Sequence, residues 1–192
     1  VDGGKIVLHG GDNGMVMVAD STLDASTTAA GYDGGQIKVL GDKVAIQNSQ
    51  VLADGPANGG EILIGGNFQG NGPEKNSVLS FVSPGSTLSA KGTIAEGTTD
   101  QGDGGRVIVW SDQDTGFFGT LDASGETGGF AEISGKDYLA INPERVDVGG
   151  NGGEAGTILL DPRDITVADG GGSAVADVDA FGDTASTDLT ID

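Results

Sequence analysis

The sequence predicts an all-β chain that forms a right-handed parallel β-helix, and three observations support this fold. Short apolar runs recur along the chain, a pair of small residues precedes each run, and two further apolar strips recur inside the repeat. The runs are rich in Ile and Val, which favour strands. Glycine contributes 37 of the 192 residues, far above the roughly 7% of average proteins. Only 5 residues are proline, so the composition does not indicate a disordered Pro/Gly linker.

The opening runs of the repeat begin at residues 5, 36, 61, 106, 130 and 157. Gly-Gly precedes the first five, and Ala155-Gly156 precedes the sixth. Successive starts are 31, 25, 45, 24 and 27 residues apart, so four of the five intervals lie between 24 and 31. The long interval predicts either an extra coil or an insertion within residues 65–104.

Two further columns complete each repeat. Thr22-Leu23-Asp24-Ala25-Ser26 returns as the same five residues at 120–124, and a third apolar strip lies between the other two columns. Three short strands in a period of about 25 residues are typical of one coil of a parallel β-helix. We therefore predict a single solenoid over residues 1–192, with about seven coils of roughly 24–31 residues. Residues 168–192 are predicted to form a less regular terminal coil or an end-contact segment.

Alternate residues of each strand should point into the tube and stack on their counterparts one coil away. The predicted core stack is Ile6, Ile37, Ile62, Val107, Ile133 and Ile158. Between strands, Gly, Asp and Asn are expected to form corners, because they tolerate the positive φ of sharp turns.

The charge balance restricts the partners. The chain has 9 Lys and Arg against 29 Asp and Glu, a net charge of −20. Nucleic acid is excluded as an expected partner, because phosphate binding requires a basic surface. No stretch approaches the roughly 18 apolar residues of a membrane helix, so we expect no membrane insertion. Cysteine is absent, which excludes disulfides and thiol nucleophiles.

No catalytic residues are predicted, and we expect that the protein is not an enzyme. A glycosidase needs two carboxylates about 5 to 10 Å apart in a cleft. Asp112 and Asp114 share one side of a strand, but their neighbours favour a turn. His9 is the sole histidine, and its spacing suggests no Ser-His-Asp triad. A polysaccharide-active enzyme is the disfavoured alternative.

No cofactor or metal site is predicted, and calcium is the one alternative. Corners at 12–14 and 100–103 offer Asp and Asn oxygens, which suit calcium, although unoccupied, solvated turns are the favoured explanation. Trp110 and Tyr138 are candidate glycan contacts. The favoured interpretation of Trp110 is that it packs over a corner or an insertion, and the glycan contact is the alternative.

Residues 104–167 resemble a known family. The segments that carry the resemblance are Gly-Gly-Arg-Val-Ile-Val-Trp-Ser-Asp at 104–112, the runs at 118–125 and 128–136, and Gly-Thr-Ile-Leu-Leu-Asp-Pro-Arg-Asp-Ile-Thr-Val at 156–167. They resemble the filamentous haemagglutinin-like exoproteins, which are large bacterial fibres exported by two-partner secretion. The last segment is similar to the LLDP-x-(D/N)-I-T segment of such proteins. The resemblance implies a right-handed β-helix, export to the bacterial cell surface, and adhesion or fibre building.

We therefore expect an extracellular structural or adhesive protein. The first Gly-Gly pair lies at residues 3 and 4, and residues 188–192 end on another strand-like run. Uncapped solenoid ends expose unpaired backbone groups. The predicted partners are accordingly further copies bound head to tail, or flanking coils of a longer chain. A glycan-binding passenger segment of an adhesin is the alternative function.

Overall fold

The computed structural model describes residues 3–163, which form sixteen β-strands and one 3-10 turn at Phe68–Gly70. In chain order the strands are β1 (Lys5–His9), β2 (Met15–Ala19), β3 (Thr22–Asp24), β4 (Gln36–Leu40), β5 (Lys43–Gln47), β6 (Gln50–Leu52), β7 (Glu61–Ile64), β8 (Leu79–Val82), β9 (Thr87–Ser89), β10 (Arg106–Ser111), β11 (Asp114–Phe117), β12 (Thr120–Asp122), β13 (Phe130–Gly135), β14 (Tyr138–Ile141), β15 (Arg145–Asp147) and β16 (Thr157–Leu159). The strands are short because each coil turns three corners.

The strands form three parallel sheets that run along the solenoid. The first sheet contains β1, β4, β7, β10, β13 and β16 in that order, and every third strand likewise forms the second sheet (β2 to β14) and the third sheet (β3 to β15). All neighbouring strands within the sheets are parallel. The predicted all-β parallel β-helix with three strands per coil is confirmed. The described residues contain six strands of the first sheet, so a total of seven coils stays a prediction, and the predicted terminal segment 168–192 lies outside them.

The long interval between residues 61 and 106 is occupied by one coil. Strands β7 and β10 are direct neighbours, and β8 and β9 complete the coil between them. The additional residues form two excursions from the coil. We call residues 65–78 the first excursion and residues 90–105 the second excursion. An antiparallel bridge between Ile94 and Gln101 closes the second excursion.

The core consists of rows of apolar side chains that stack from coil to coil. One row is Ile6, Ile37, Ile62, Val107, Ala131 and Ile158. Ile133 is not a member of this row, contrary to the expected stack, because β13 is aligned so that Ala131 faces Val107 and Ile133 faces Val109. Ile133 is fully buried in the adjacent row. Ile158 lies in the last strand of the sheet and is 38% exposed.

The Gly-Gly pairs lie where coils pack backbone against backbone. A Cβ added to Gly60 would lie 2.0 Å from the carbonyl oxygen of Gly35, and one on Gly59 would lie 1.9 Å from the carbonyl oxygen of Ala90. The Gly60 N–H also donates to the carbonyl of Ala53 at 2.7 Å. Equivalent second glycines approach the preceding coil as closely, at Gly35, Gly105, Gly129 and Gly156.

The reason expected for the Gly-Gly pairs is therefore wrong. None of them has the positive φ that was expected of corner residues. They are glycine because a side chain would collide with the neighbouring coil. Positive φ occurs at other turns instead, and it recurs between the second and third sheets at Asp20, Asn48 and Gly85, with φ of 49°, 44° and 74°. There the Asn48 side-chain amide donates to the Asp20 carboxylate at 2.7 Å.

Replacing Gly60 with Ala should destabilise the fold, because the new Cβ meets a backbone oxygen that cannot move without shifting a coil. We expect a loss of about 1–3 kcal/mol in the free energy of unfolding, measured by urea denaturation. Gly4→Ala is the matched control, since a Cβ on Gly4 has no atom within 4 Å. Equal stability of the two variants would contradict the steric explanation.

Replacing Val107 with Asp should destabilise the solenoid by at least several kcal/mol, because the fully buried side chain would carry an unpaired charge into the tube. Thermal denaturation followed by circular dichroism measures the effect. Val7→Asp introduces the same charge on the exposed face of β1 and should change the melting temperature little. An unchanged melting temperature for Val107→Asp would disprove the assignment of the core row.

Candidate functional site: a polar cleft beside the first excursion

The first excursion covers an apolar patch on the outer face of the first sheet. Leu63, Ile108 and Trp110 form a second buried cluster on this face, and Phe130 packs against it. Phe68 of the excursion meets Phe130 edge to face, with ring centroids 5.7 Å apart. Covering both faces of the sheet explains why its strands are continuously apolar, as in buried parallel sheets. That continuity is the sequence signal for a covered outer face.

Trp110 is buried beneath the excursion. Its side chain is only 5% exposed. A Cβ on Gly66 or Gly70 would lie 2.7 Å or 2.6 Å from the indole ring, so glycines allow the excursion to lie directly on it. The indole N–H donates to Asp112 Oδ1 at 3.2 Å. Trp110 therefore packs under an insertion, as its favoured interpretation predicts, and it is not an open stacking platform for a sugar.

An ion pair ties the excursion to the second coil. Lys38 Nζ lies 2.5 Å from Glu74 Oε1, and both side chains are largely buried. The hydrogen bond from Lys38, assisted by one from Asn67, lowers the pKa of Glu74 to about 2. Lys75 also donates to the backbone carbonyl of Asp12, in the first coil. Both charges of the excursion thus bind residues of preceding coils.

A buried carboxylate ties the excursion to the fifth coil. Glu132 is fully buried on the outer face of β13. The backbone N–H of Gln69 donates to both carboxylate oxygens, at 3.1 and 3.2 Å. Gln69 adopts a positive φ of 52°, which is rare for a residue with a long side chain. Burial raises the pKa of Glu132 above its ordinary value of 4.5, although the Gln69 N–H opposes the shift.

Beside the excursion lies a cleft of about 630 Å³. The turn of the excursion forms one wall, the segments after β13 and β16 form the other, and Trp110 contributes at the base. The lining residues are Gln69, Gly70, Asn71, Asn76, Trp110, Asp112, Lys136, Asp137, Asp161, Pro162 and Arg163. Most of these side chains are polar, so the cleft offers many hydrogen-bonding groups over an aromatic edge.

Asn76 and Asp112, which both line the cleft, are held in place by hydrogen bonds. The Asn76 amide donates to the Gly70 carbonyl at 2.9 Å and to Asp112 Oδ1 at 3.0 Å. Asp112 Oδ1 therefore accepts hydrogen bonds from both Asn76 and Trp110. The buried Oδ1 of Asn76 has no hydrogen-bond partner among the described residues. Fixed amides and carboxylates of this kind orient polar ligands in protein pockets.

The other sequence-predicted residues lie elsewhere. Tyr138 begins β14 of the second sheet and is 62% exposed, but it does not line the cleft. Asp114 begins β11 on the same sheet, so Asp112 and Asp114 do not face one cleft. His9 Nδ1 accepts a hydrogen bond from the Gly11 N–H at 3.0 Å.

The corners considered for calcium make protein contacts. Asp103 Oδ1 accepts from the Thr127 N–H at 3.0 Å, and the Asp12 carbonyl binds Lys75. Within residues 3–163, no group of three or more His, Cys, Asp or Glu side chains is placed to hold a metal ion. Nor does this part of the chain contain a helix long and apolar enough to cross a membrane.

Comparison of the sequence with protein families and with curated proteins finds no match. Among solved structures, the chain is similar to the HMW1 secretion domain from Haemophilus influenzae, with a TM-score of 0.67 and 29% sequence identity. The similarity covers 83% of this chain and 39% of that chain, so our chain spans well under half of that structure. It extends over far more of the sequence than residues 104–167, and it agrees with the resemblance to secreted exoproteins.

Replacing Glu132 with Gln should stabilise the protein at pH 7, because the neutral amide avoids the cost of burying a carboxylate and still accepts from Gln69. We expect a gain on the order of 1 kcal/mol in the free energy of unfolding. The pKa of Glu132 in the folded state is higher than its ordinary value of 4.5. The parent protein therefore keeps the full contribution of Glu132 to stability below pH 4.5, and it loses stability as the pH rises through the folded-state pKa. The gain of Glu132→Gln should therefore shrink toward pH 4.

Urea denaturation between pH 4 and pH 8 measures this difference. Glu154→Gln, at an exposed position, is the control and should follow the parent at every pH. A Glu132→Gln variant that is less stable than the parent at pH 7 would show that the ionised carboxylate holds the excursion favourably.

Proposed function

We propose that this chain is a β-solenoid segment of a secreted bacterial surface protein with a structural or adhesive role. The observation that carries the proposal is the similarity to the HMW1 secretion domain, at 29% identity over 83% of the chain. That structure is a secretion domain, and the resemblance of residues 104–167 to exported fibre proteins supports the same role for this chain.

The physical properties of the chain are compatible with an extracellular location. A parallel β-helix holds its coils together by continuous backbone hydrogen bonds, so it needs no disulfides, and this chain has no cysteine. The net charge of −20 favours solubility of an extended rod. The aligned core rows and the tied excursion favour a rigid spacer or platform.

We further propose that the protein works by binding and assembly, without catalysis. Asp112 is one of three Asp residues that line the cleft, and one of its oxygens already accepts hydrogen bonds from Trp110 and Asn76. Its sequence neighbour Asp114 lies on the second sheet. Asp112 and Asp114, the pair considered from the sequence, therefore do not form the paired carboxylates of a glycosidase.

Surface labelling of the source bacterium tests the proposed location. Antibodies raised against residues 3–163 should label intact cells or detect the protein in the culture medium. Brief protease treatment of intact cells should then remove the signal, while a cytoplasmic marker protein stays intact. Labelling that appears only after the cells are lysed would refute secretion.

Glycan binding in the cleft is the second candidate function. It is favoured by the fixed Asn76 and Asp112 side chains and by Trp110, all of which line the cleft. Such a group of amides and carboxylates matches the alternating hydroxyls of a neutral sugar. We propose neutral oligosaccharides as the ligand class, since three Asp side chains line the cleft against Lys136 and Arg163.

A glycan array followed by calorimetry tests this candidate. Asn71→Ala and Lys136→Ala, which change the cleft walls, should weaken binding about tenfold, as expected when polar ligand contacts of about 1.4 kcal/mol are lost. Tyr138→Ala is the control on the second sheet and should bind normally. Loss of binding in Tyr138→Ala alone would assign the ligand to the exposed aromatic side chain, and no binding by the parent would refute the cleft as a glycan site.

A further inference from the structure

The three sheets differ in what covers their outer faces. The first excursion covers the first sheet. The third sheet presents polar residues, in the aligned row Thr22, Gln50, Thr87, Thr120 and Arg145. The second sheet presents apolar side chains, and no described segment packs over them as the first excursion does over the first sheet.

Two aligned rows make up this apolar face. One row is Met17, Ala45, Phe81, Gly116 and Ala140, and the other is Met15, Lys43, Leu79, Asp114 and Tyr138. The two methionines are 61% and 52% exposed at positions 15 and 17, and Phe81 is 37% exposed. Exposed contiguous apolar surface of this kind marks an interaction site.

Aromatic side chains keep the face continuous where the row contains glycine. The ring centroids of Phe81 and Phe118 are 5.8 Å apart. A Cβ on Gly116 would lie 3.0 Å from the Phe81 ring and 3.1 Å from the Phe118 ring. The two rings therefore occupy the space above Gly116, and a larger residue there would displace them.

The charges on this face have a symmetric arrangement. Lys43 and Asp114 each pair with Leu79, from the strands on its two sides. Ladder spacing separates the two charged residues by about 10 Å. Neither has an ion-pair partner in residues 3–163. Opposite, unpaired charges at equal distances from one central strand are self-complementary under a two-fold axis along that strand.

We propose that the outer face of the second sheet binds a second copy of this chain, side by side and with antiparallel solenoid axes. A two-fold axis along β8 brings the two faces together. It places Lys43 of each copy opposite Asp114 of the other, and Phe81 opposite Phe81. Met15 at one end of the row then meets Tyr138 at the other end, so apolar contacts extend along the row.

The Lys43–Asp114 pairs would make the contact specific, although two copies of the chain repel each other through their net charge. Each chain carries −20, which opposes association of two copies, while interfacial charge pairs set register and partner choice. Starting from low ionic strength, added salt should strengthen dimerisation of the parent protein. Salt screens the repulsion between the two net charges more than it screens the two enclosed Lys43–Asp114 pairs.

Sedimentation velocity over a concentration series tests the proposal with a charge swap. Lys43→Asp and Asp114→Lys should each weaken dimerisation about tenfold or more, since each places like charges together twice. The double variant restores opposite charges and should dimerise like the parent. Asp114→Lys is decisive: it makes the net charge less negative, so an effect of overall charge would strengthen association, whereas specific pairing weakens it.

Matched controls make the same charge changes on other faces. Lys5→Asp lies on the first sheet and Glu154→Lys lies in an exposed turn, and both should leave the dimer unchanged. The proposal is overturned if the parent is monomeric at all concentrations, or if both single swaps associate like the parent. Rods joined end to end in electron micrographs, unaffected by the swaps, would assign self-association to the solenoid ends. The proposed secretion does not depend on any of these outcomes.

Discussion

Close backbone packing at one corner of the coil is the constraint on which this structure depends. There the N–H of the second glycine of a pair, as in Gly60, donates to the carbonyl that ends the third-sheet column, as in Ala53. The same glycine lies under the carbonyl of its counterpart one coil away, with no room for a Cβ. Because the two repeated motifs meet at this corner, their spacing sets the period of the solenoid and aligns all three sheets.

Regular stacking of the coils produces three sheets, and the side chains on their outer faces differ from sheet to sheet. The first excursion leaves the coil after β7 and returns before β8, so the third coil keeps its register despite the additional residues. Its contacts reach from Asp12 in the first coil to Glu132 in the fifth. It therefore works as a brace along the rod, and the same brace forms one wall of the cleft.

The brace is held by two carboxylates in opposite electrostatic conditions. Hydrogen bonds from Lys38 and Asn67 favour the ionised form of Glu74 and lower its pKa, whereas burial disfavours the ionised form of Glu132 and raises its pKa. Acid weakens the Lys38 contact only near pH 2, while ionisation of Glu132 costs stability at higher pH. Together, the two carboxylates therefore favour the folded state most in mildly acidic conditions.

The sequence alone determined the parallel solenoid, because glycine pairs, alternating strands and a shared period are local patterns that repeat. It also indicated that Trp110 either stacks on a ligand or lies under an insertion. Only the tertiary structure decided between these, since burial of Trp110 depends on Gly66 and Gly70, which lie 44 and 40 residues earlier in the chain. Coil register likewise decided the row of Ile133, the contact of Glu132 with Gln69, and the alignment of Lys43 with Asp114. A shift of one or two residues alters this register, and no single segment of the sequence encodes it.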